Sequence, residues 1–308
     1  MNTITIRDYK TIAVKELQEI SPSPELDVQV LLSHALNYDK TRLLLFAENH
    51  IPDDKLEWLN EAIARRKTGL PVAYITGMKE FYGYDFFVTP DVLIPKPDTE
   101  ILVEQAVQRI ADKIRANKRI LSICDMCTGS GCIAISVLMT LSEKYKLDDE
   151  SIPVFTMVDI SEKALEVARK NTSQILKRPE LLQKIRFIRS NLFENVTGRF
   201  DFILSNPPYI PHSMVKELLK DGRNEPVLAL DGDVTMDGEL TLKDDGMEVI
   251  RNLIEQSTIH LYAGGTTLME TGEYNAEKTS DFARIYGFKT KIYKDLENQP
   301  RVVQMKIN

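Results

Sequence analysis

Asn206, Pro207, Pro208 and Tyr209 lie just after the apolar run "FDFIL", which reads as a buried strand. Two successive prolines end any strand or helix, because neither donates a backbone hydrogen bond and each fixes φ. A rigid strand exit with an Asx turn at Asn206 is one reading of this stretch. A second reading is chemical. A planar NH2 group attacks a methyl group only if its two hydrogens are held and its face is aimed. The Asn206 side-chain carbonyl can accept one hydrogen, and the Pro207 carbonyl, held rigid by the Pro208 ring that follows, can accept the other. Tyr209 can stack on the planar group. No strong base is required, because the nitrogen becomes acidic only as it gains the methyl. Alignment and fixed acceptors would then carry the catalysis.

A second cluster lies upstream in "DMCTGSGCIAIS", with Thr128, Gly129, Ser130 and Gly131 between a strand and a helix. Gly129 and Gly131 permit a tight turn and close approach of a ligand to the backbone. Asp159 ends the next strand in "VDIS", ahead of Ile160, where a carboxylate can accept ribose hydroxyls. Ser161 then suits a helix N-cap. Gly129, Gly131 and Ala134 also match G-x-G-x-x-A, which admits an NAD-dependent oxidoreductase. A dehydrogenase needs a proton donor at a hydride-transfer site. Here the later strand instead ends in Asn-Pro-Pro-Tyr. His212, just beyond it, reads as an exposed loop histidine, since the proposed chemistry needs no base.

The elements that must position these residues alternate. Strand "RILSICDM" leads to a helix from Cys132, then come strand "PVFTMVD", helix "SEKALEVARKNTSQIL", and strands "KIRFIRS" and "FDFILSN". This order predicts a parallel α/β sheet with crossover helices. "FKTKIYKDLENQPRVVQMKI" predicts two antiparallel strands closing one edge. The parallel-strand rule then turns the glycine loop, Asp159, "SNLF" and "SNPPY" toward one crevice. "KPDTEILVEQAVQRIADKIRANK" reads as an amphipathic helix with acids first and bases last. Residues 1–77 read as four or five short helices, with Leu26, Val30, Leu31, His34 and Ala35 sharing a face in "PELDVQVLLSHALN". Residues 78–97 read as a hairpin or extended linker, and 98–308 as the α/β domain. "DVTMDGELTLK" predicts a type I′ hairpin at Asp237-Gly238, projecting as a small ribbon.

With 308 residues and a formal charge of −7, the chain has room for a catalytic domain plus a small one. Its acidic balance argues against a binder of long nucleic acid. The three cysteines, Cys124, Cys127 and Cys132, lie in one segment and do not read as a disulfide framework, which points to a reducing cytosol. Neither a signal peptide nor a membrane helix is expected. The C-x-x-C pair lacks partners for a metal site and reads as two small apolar residues at a strand end, so no metal is expected.

On these residues, and on "RRKTGLPVAYITGMKEFYG", "VTPDVLIPKPDTEILVE", "NEPVLALDG", "DGMEVIRNLI" and "KDLENQPRVV", the chain resembles the HemK/PrmC family over nearly its full length. These are S-adenosylmethionine-dependent methyltransferases that modify glutamine in class I peptide-chain release factors. The resemblance implies a seven-stranded Rossmann-like methyltransferase domain, a hairpin linker and a small helical substrate-binding domain. It implies that Asn206, Pro207, Pro208 and Tyr209 bind the glutamine amide, and that Thr128, Gly129, Ser130 and Gly131 approach the methionine part of S-adenosylmethionine. Asp159 with Ile160 would hold the ribose, and Asn191 with Leu192 would flank the adenine. The helical domain would grip the release factor, and the protein would be a cytoplasmic monomer that contacts neither nucleic acid nor membrane. Three features depart from the family pattern. Lys96 and Asp98 stand where Arg and Glu are usual, a glutamine is missing after Glu270-Thr271-Gly272, and the Asp237-Gly238 segment is extra. Asn-Pro-Pro-Tyr is shared with nucleic-acid amino methyltransferases, so methylation of adenine or guanine amino groups stays open. A translation-factor binding module without turnover also stays open.

Overall fold

The computed structural model describes residues 4–116, 119–148 and 150–307, which fall into two compact units. The first comprises the described residues of Met1–Met78 together with Glu217–Asn224. Its five helices are α1 (Ile6–Leu17), α2 (Pro24–Leu36), α3 (Lys40–Leu45), α4 (Asp53–Lys67) and α5 (Val72–Thr76). The buried face of α2 is Val28, Leu31, Leu32 and Ala35, an i, i+3, i+4, i+7 stripe. The face expected from sequence is therefore rotated. Leu26, Val30 and His34 are exposed, and His34 stacks on Trp58 with ring centroids 5.0 Å apart.

The second unit holds the described residues of Lys79–Lys216 and Glu225–Asn308. Strands β1 (Met78–Phe81) and β2 (Tyr84–Phe87) form a hairpin. Its two turn residues, Tyr82 and Gly83, take positive φ of 53° and 81°, which a type I′ turn demands. The main sheet has seven strands. In chain order its elements are α6 (Thr99–Ala116), β3 (Ser122–Met126), α7 (Cys132–Glu143), β4 (Val154–Asp159), α8 (Glu162–Ile175), α9 (Pro179–Leu182), β5 (Ile185–Arg189) and β6 (Phe200–Ser205). There follow α10 (His212–Leu218), α11 (Glu248–His260), β7 (Leu261–Glu270), α12 (Ala276–Ile285), β8 (Lys289–Lys294) and β9 (Pro300–Lys306). The spatial order is β5-β4-β3-β6-β7-β9-β8, parallel except for β9, which runs antiparallel to both neighbours. The α/β class, the parallel core and the antiparallel closing pair are as expected from sequence.

Alternation along the strands divides the core between the two sheet faces. Ile123, Phe202, Leu204, Leu268 and Val302 pack with α6, α7 and the hairpin residues Phe81 and Phe86. Cys124, Ile203, Met269 and Val303 pack with α11 and α12. Strand β7 was not among the strands read from the pattern. Its Gly264-Gly265 pair breaks the apolar run, and the β6–β7 register shifts between Phe200 and Phe202. The predicted helix over "KPDTEILVEQAVQRIADKIRANK" is α6, with Glu100 in its first turn and Lys113 and Arg115 in its last. Asn117 and Lys118 of that stretch lie outside the described residues.

Candidate active site

The chain runs out along β3, β4 and β5, then returns to the other side of β3 as β6. The crevice therefore opens where strand order reverses, beyond the carboxyl ends of β3 and β6. Met126 and Ser205 are register partners there, and Ser205 Oγ donates to the Met126 carbonyl at 2.7 Å. That bond holds the glycine loop beside the Asn206 loop. The Thr128 amide donates to the Val158 carbonyl at 2.9 Å, which ties the same loop to β4.

A cavity of about 440 Å³ occupies this crevice, within the usual range for small-molecule sites. Thr128, Gly129, Ser130, Asp159, Ile160, Asn191, Leu192, Asn206 and Pro208 all line it. Gly131, Pro207 and Tyr209 do not. A Cβ on Gly131 would stand 2.6 Å from Met157 Cε, so that glycine faces the packing beneath the loop rather than the cavity. Gly129 is the glycine on the cavity, with φ +54° and open space where a Cβ would be. Asp159 Oδ2 accepts from the Gly129 amide and Oδ1 from the Ser161 amide, both at 2.9 Å. Burial raises the Asp159 carboxyl despite these bonds. Ser161 is the N-cap of α8 and accepts from the Ala164 amide at 3.2 Å.

Asn206 forms no Asx turn, because the residue that would donate to it, Pro208, has no N–H. Its Nδ2 instead donates to Thr99 Oγ1 at 3.2 Å, at the first residue of α6. Tyr209 turns its hydroxyl to Glu270 Oε1 at 3.3 Å, and its carbonyl accepts from Asn275 Nδ2 at 3.1 Å. Burial, then the Glu270 charge, pushes the Tyr209 phenol far up. Glu270 is itself buried, and its carboxyl is pushed up to about 7 by that burial, against the opposing pull of Thr99 and Arg301. Beneath the glycine loop, burial likewise pushes Asp125 up to about 7, although Thr128 Oγ1 donates to it at 2.6 Å. Asp125 Oδ1 is buried without a hydrogen-bond partner among the described residues.

Several cavity residues escaped the sequence reading. The Asp237-Gly238 segment is not a type I′ ribbon. Thr235–Gly238 form a turn closed by the Gly238 amide on the Thr235 carbonyl at 3.0 Å. Only Gly238 takes positive φ, at +83°, and Thr235 pairs with Glu239, which makes a three-residue loop with a glycine bulge. This turn does not project. Val234, Thr235, Met236 and Gly238 line the cavity, and Asn191 Nδ2 donates to the Met236 carbonyl at 2.7 Å. His212 is half-buried rather than an exposed loop residue. Its Nδ1 lies 2.5 Å from Oδ2 of Asp231, another cavity residue. Lys96, also on the cavity, pairs with buried Glu225 at 2.6 Å. Cys124 and Cys132 are buried, Cys127 lines the cavity, and all three are free thiols. Among the described residues no cluster could hold a metal ion.

The sequence is similar to those of known proteins over most of its length. Residues 11–77 match the PrmC N-terminal domain model, and residues 99–236 match the methyltransferase small domain model. The release factor glutamine methyltransferase of Koribacter versatilis is 35% identical over 304 residues, covering 97% of this chain and 98% of that protein. That of Escherichia coli K12 is 35% identical over 266 residues, covering 86% of this chain and 85% of its own length. A bifunctional methyltransferase of Rickettsia conorii is 31% identical over 322 residues, and there the chain spans 57% of the relative's length. With this identity over almost the whole of its length, the chain belongs to the release factor glutamine methyltransferase family.

Proposed function

We propose that this protein transfers a methyl group from S-adenosylmethionine to the side-chain amide nitrogen of the Gly-Gly-Gln glutamine in class I peptide-chain release factors. One observation carries the reading. Asn206 and Pro208 stand in the same cavity as the glycine loop and Asp159. A methyl acceptor held by Asn206 would therefore meet a cofactor held by the loop.

The lining suits S-adenosylmethionine. Asp159 offers carboxylate lone pairs to ribose hydroxyls, and apolar Ile160, Leu192 and Met236 offer walls to a flat base. Asn191, tied to Met236, borders the same wall. Thr128, Gly129 and Ser130 leave a cradle where a side chain on Gly129 would intrude. Gly131 shapes that cradle from below. When bound, the cofactor supplies an electrophilic methyl on a sulfonium. Asn206 Oδ1, on the cavity, accepts one hydrogen of the substrate amide and holds its face toward that methyl, and the family resemblance assigns the other hydrogen to the Pro207 carbonyl although Pro207 itself does not line the cavity. Pro208 keeps the Pro207 carbonyl rigid, and Tyr209 fixes the exit of the loop through Glu270. The nitrogen becomes acidic as it gains the methyl, and its proton passes to solvent water, so no side-chain base is assigned. Residues 1–77 serve as the substrate-binding helical domain, 78–97 as the hairpin linker and 98–308 as the catalytic domain.

The test is transfer of labelled methyl from S-adenosylmethionine to the host's unmodified release factor. Parallel reactions contain a Gly-Gly-Ala factor, duplex DNA, or enzyme carrying Asn206→Ala. Label is expected in the wild-type factor alone, with Asn206→Ala lowering kcat by about 10²-fold or more, as removal of one fixed transition-state partner does. Label in DNA and none in protein overturns the proposal.

A further inference from the structure

We propose that Asn171 is a positioning residue that holds the acceptor wall of the cavity against the glycine loop, and so sets the distance over which the methyl is passed. This role rests on the reading of the cavity as a methyl-transfer site, although Asn171 itself does not line that cavity.

Asn171 lies in α8 and has no exposed surface. Its Oδ1 accepts from the Phe87 amide at 2.7 Å. Its Nδ2 donates to the Phe87 carbonyl and to the Ser130 carbonyl, both at 2.9 Å. An Asn side chain owns two amide hydrogens and one carbonyl oxygen, so all of its donors are engaged. The Phe87 amide can only donate and the two carbonyls can only accept, which fixes the side chain one way round. Half a turn about its last torsion would set donor against donor and oxygen against oxygen.

These bonds join two walls of the cavity. Ser130 belongs to the glycine loop and lines the cavity. One turn back along α8, Ala168 Cβ lies 3.4 Å from where a Gly131 Cβ would stand, so the same helix face supports the loop at two residues. Phe87 ends β2, and the chain leaving it becomes a strap whose Pro90, Asp91, Val92, Leu93, Pro95 and Lys96 line the cavity. Helix α8 pins the strap again through Lys163, 3.3 Å from Asp91. At its far end the strap reaches the acceptor group. Lys96 pairs with Glu225 at 2.6 Å, and Thr99, three residues on, takes Asn206 Nδ2 at 3.2 Å. One side chain thus bonds both the loop assigned to the cofactor and the root of the strap that runs to Asn206.

Transfer requires donor and acceptor about 3–3.5 Å apart and aligned, and a misplacement of about 1 Å costs about 10²-fold in rate. Loss of the Asn171 amide leaves the Phe87 amide and two carbonyls without their partner and lets the walls shift apart. Each wall keeps contacts of its own, Gly129 with Asp159 and Thr99 with Asn206. Binding of each reactant should therefore persist while their alignment is lost.

The experiment compares full-length wild type with Asn171→Ala, Asn171→Asp, Thr172→Val and Asn206→Ala. Asp keeps the shape of Asn but has no N–H to give. Thr172 is the control, because it is buried on the same helix yet its hydroxyl donates within α8, to the Ala168 carbonyl at 2.8 Å. Release-factor methylation is followed at saturating substrates and well below each Tm, with kcat expressed per cofactor site titrated by calorimetry. Both Asn171 variants are expected to lower kcat about ten-fold or more, with cofactor Kd and release-factor KM within about three-fold of wild type. Thr172→Val is expected to lower Tm and keep kcat. A smaller loss of kcat, or the same loss in Thr172→Val, overturns the proposal. So does a cofactor Kd or release-factor KM that worsens as far as kcat falls, which would make Asn171 a support of one wall alone. Failure of both Asn171 variants to fold overturns it too, by assigning the residue to stability. Wild type that leaves the release factor unlabelled, or a fully active Asn206→Ala, brings down the underlying reading instead, which separates the two failures.

Discussion

Asp159 engages both carboxylate oxygens with backbone amides and still lines the cavity, so one side chain shapes the loop and faces a ligand. Asp159→Ala should therefore weaken S-adenosylmethionine binding. Loss of a hydrogen bond to a charged group costs about 1.5–3 kcal/mol, or about ten- to hundred-fold in Kd. Titration calorimetry checks it, and an unchanged Kd would remove Asp159 from the cofactor site. The place of Asp159 on the cavity was readable in advance because a carboxylate ending the strand after a glycine loop falls at the carboxyl edge of a parallel sheet. His212 and Lys96 were not. Their partners, Asp231 and Glu225, lie 19 and 129 residues away in sequence, and no local pattern announces either pair. Thr99 read only as part of a helix start. Its place beside Asn206 is set by a separation of 107 residues.

At the scale of elements, a pair of glycines joins distant segments of the helical unit. A Cβ on Gly69 would stand 1.9 Å from the Asp221 carbonyl oxygen, and one on Gly222 would stand 2.1 Å from the Thr68 carbonyl oxygen. Both also hold positive φ, at +92° and +81°. Gly69→Ala should thus force the 217–224 segment off the turn after α4. Backbone strain of this kind costs about 1–3 kcal/mol before the clash is counted, which lowers Tm by a few degrees. Limited proteolysis should show earlier cleavage within 217–224, and an unchanged Tm and cleavage pattern would refute the account. The rotated face of α2 has a related origin. Apolar residues at Leu26 and Val30 are as eligible for burial as Val28 and Leu32, and only the neighbouring helices decide among them. The Asp237-Gly238 turn was visible as a turn, but its direction was not. A hydrogen bond from Asn191 draws it onto the cavity.

Across the whole molecule, buried carboxyls pull stability in opposite directions with pH. Asp125 and Glu270, both raised to about 7 by burial, hold protons in the folded state that the unfolded chain has released. Their contribution falls as pH rises from the ordinary carboxylate range through 7, then levels off. Asp201 acts the other way. Burial would raise it, but the Arg119 fork at 2.6 and 2.8 Å, the Ser122 amide at 3.0 Å and Lys113 at 3.1 Å hold it low. The stability it supplies is present above the ordinary carboxylate range and lost as pH falls through its depressed value. Tm should therefore decline between pH 5 and 7.5, and the decline should flatten in an Asp125→Asn, Glu270→Gln double variant. An identical slope in that variant, measured by calorimetry, would exclude these two groups as its source. Glu270→Gln is thus expected to gain stability at pH 8.

Sequence alone determined the alternation of strands and helices, the glycine loop, Asp159 and Asn-Pro-Pro-Tyr. Each is written in neighbouring residues whose periodicity or backbone chemistry acts locally. Tertiary structure decided what those residues face. It joined Asn206 to Thr99 and Tyr209 to Glu270, turned Gly131 away from the cavity that Gly129 opens on, and folded the 235–239 turn over Asn191. Such pairings depend on strand order and on which residues share a low-dielectric interior. A linear pattern carries neither, because burial and contact arise only once distant segments are packed together.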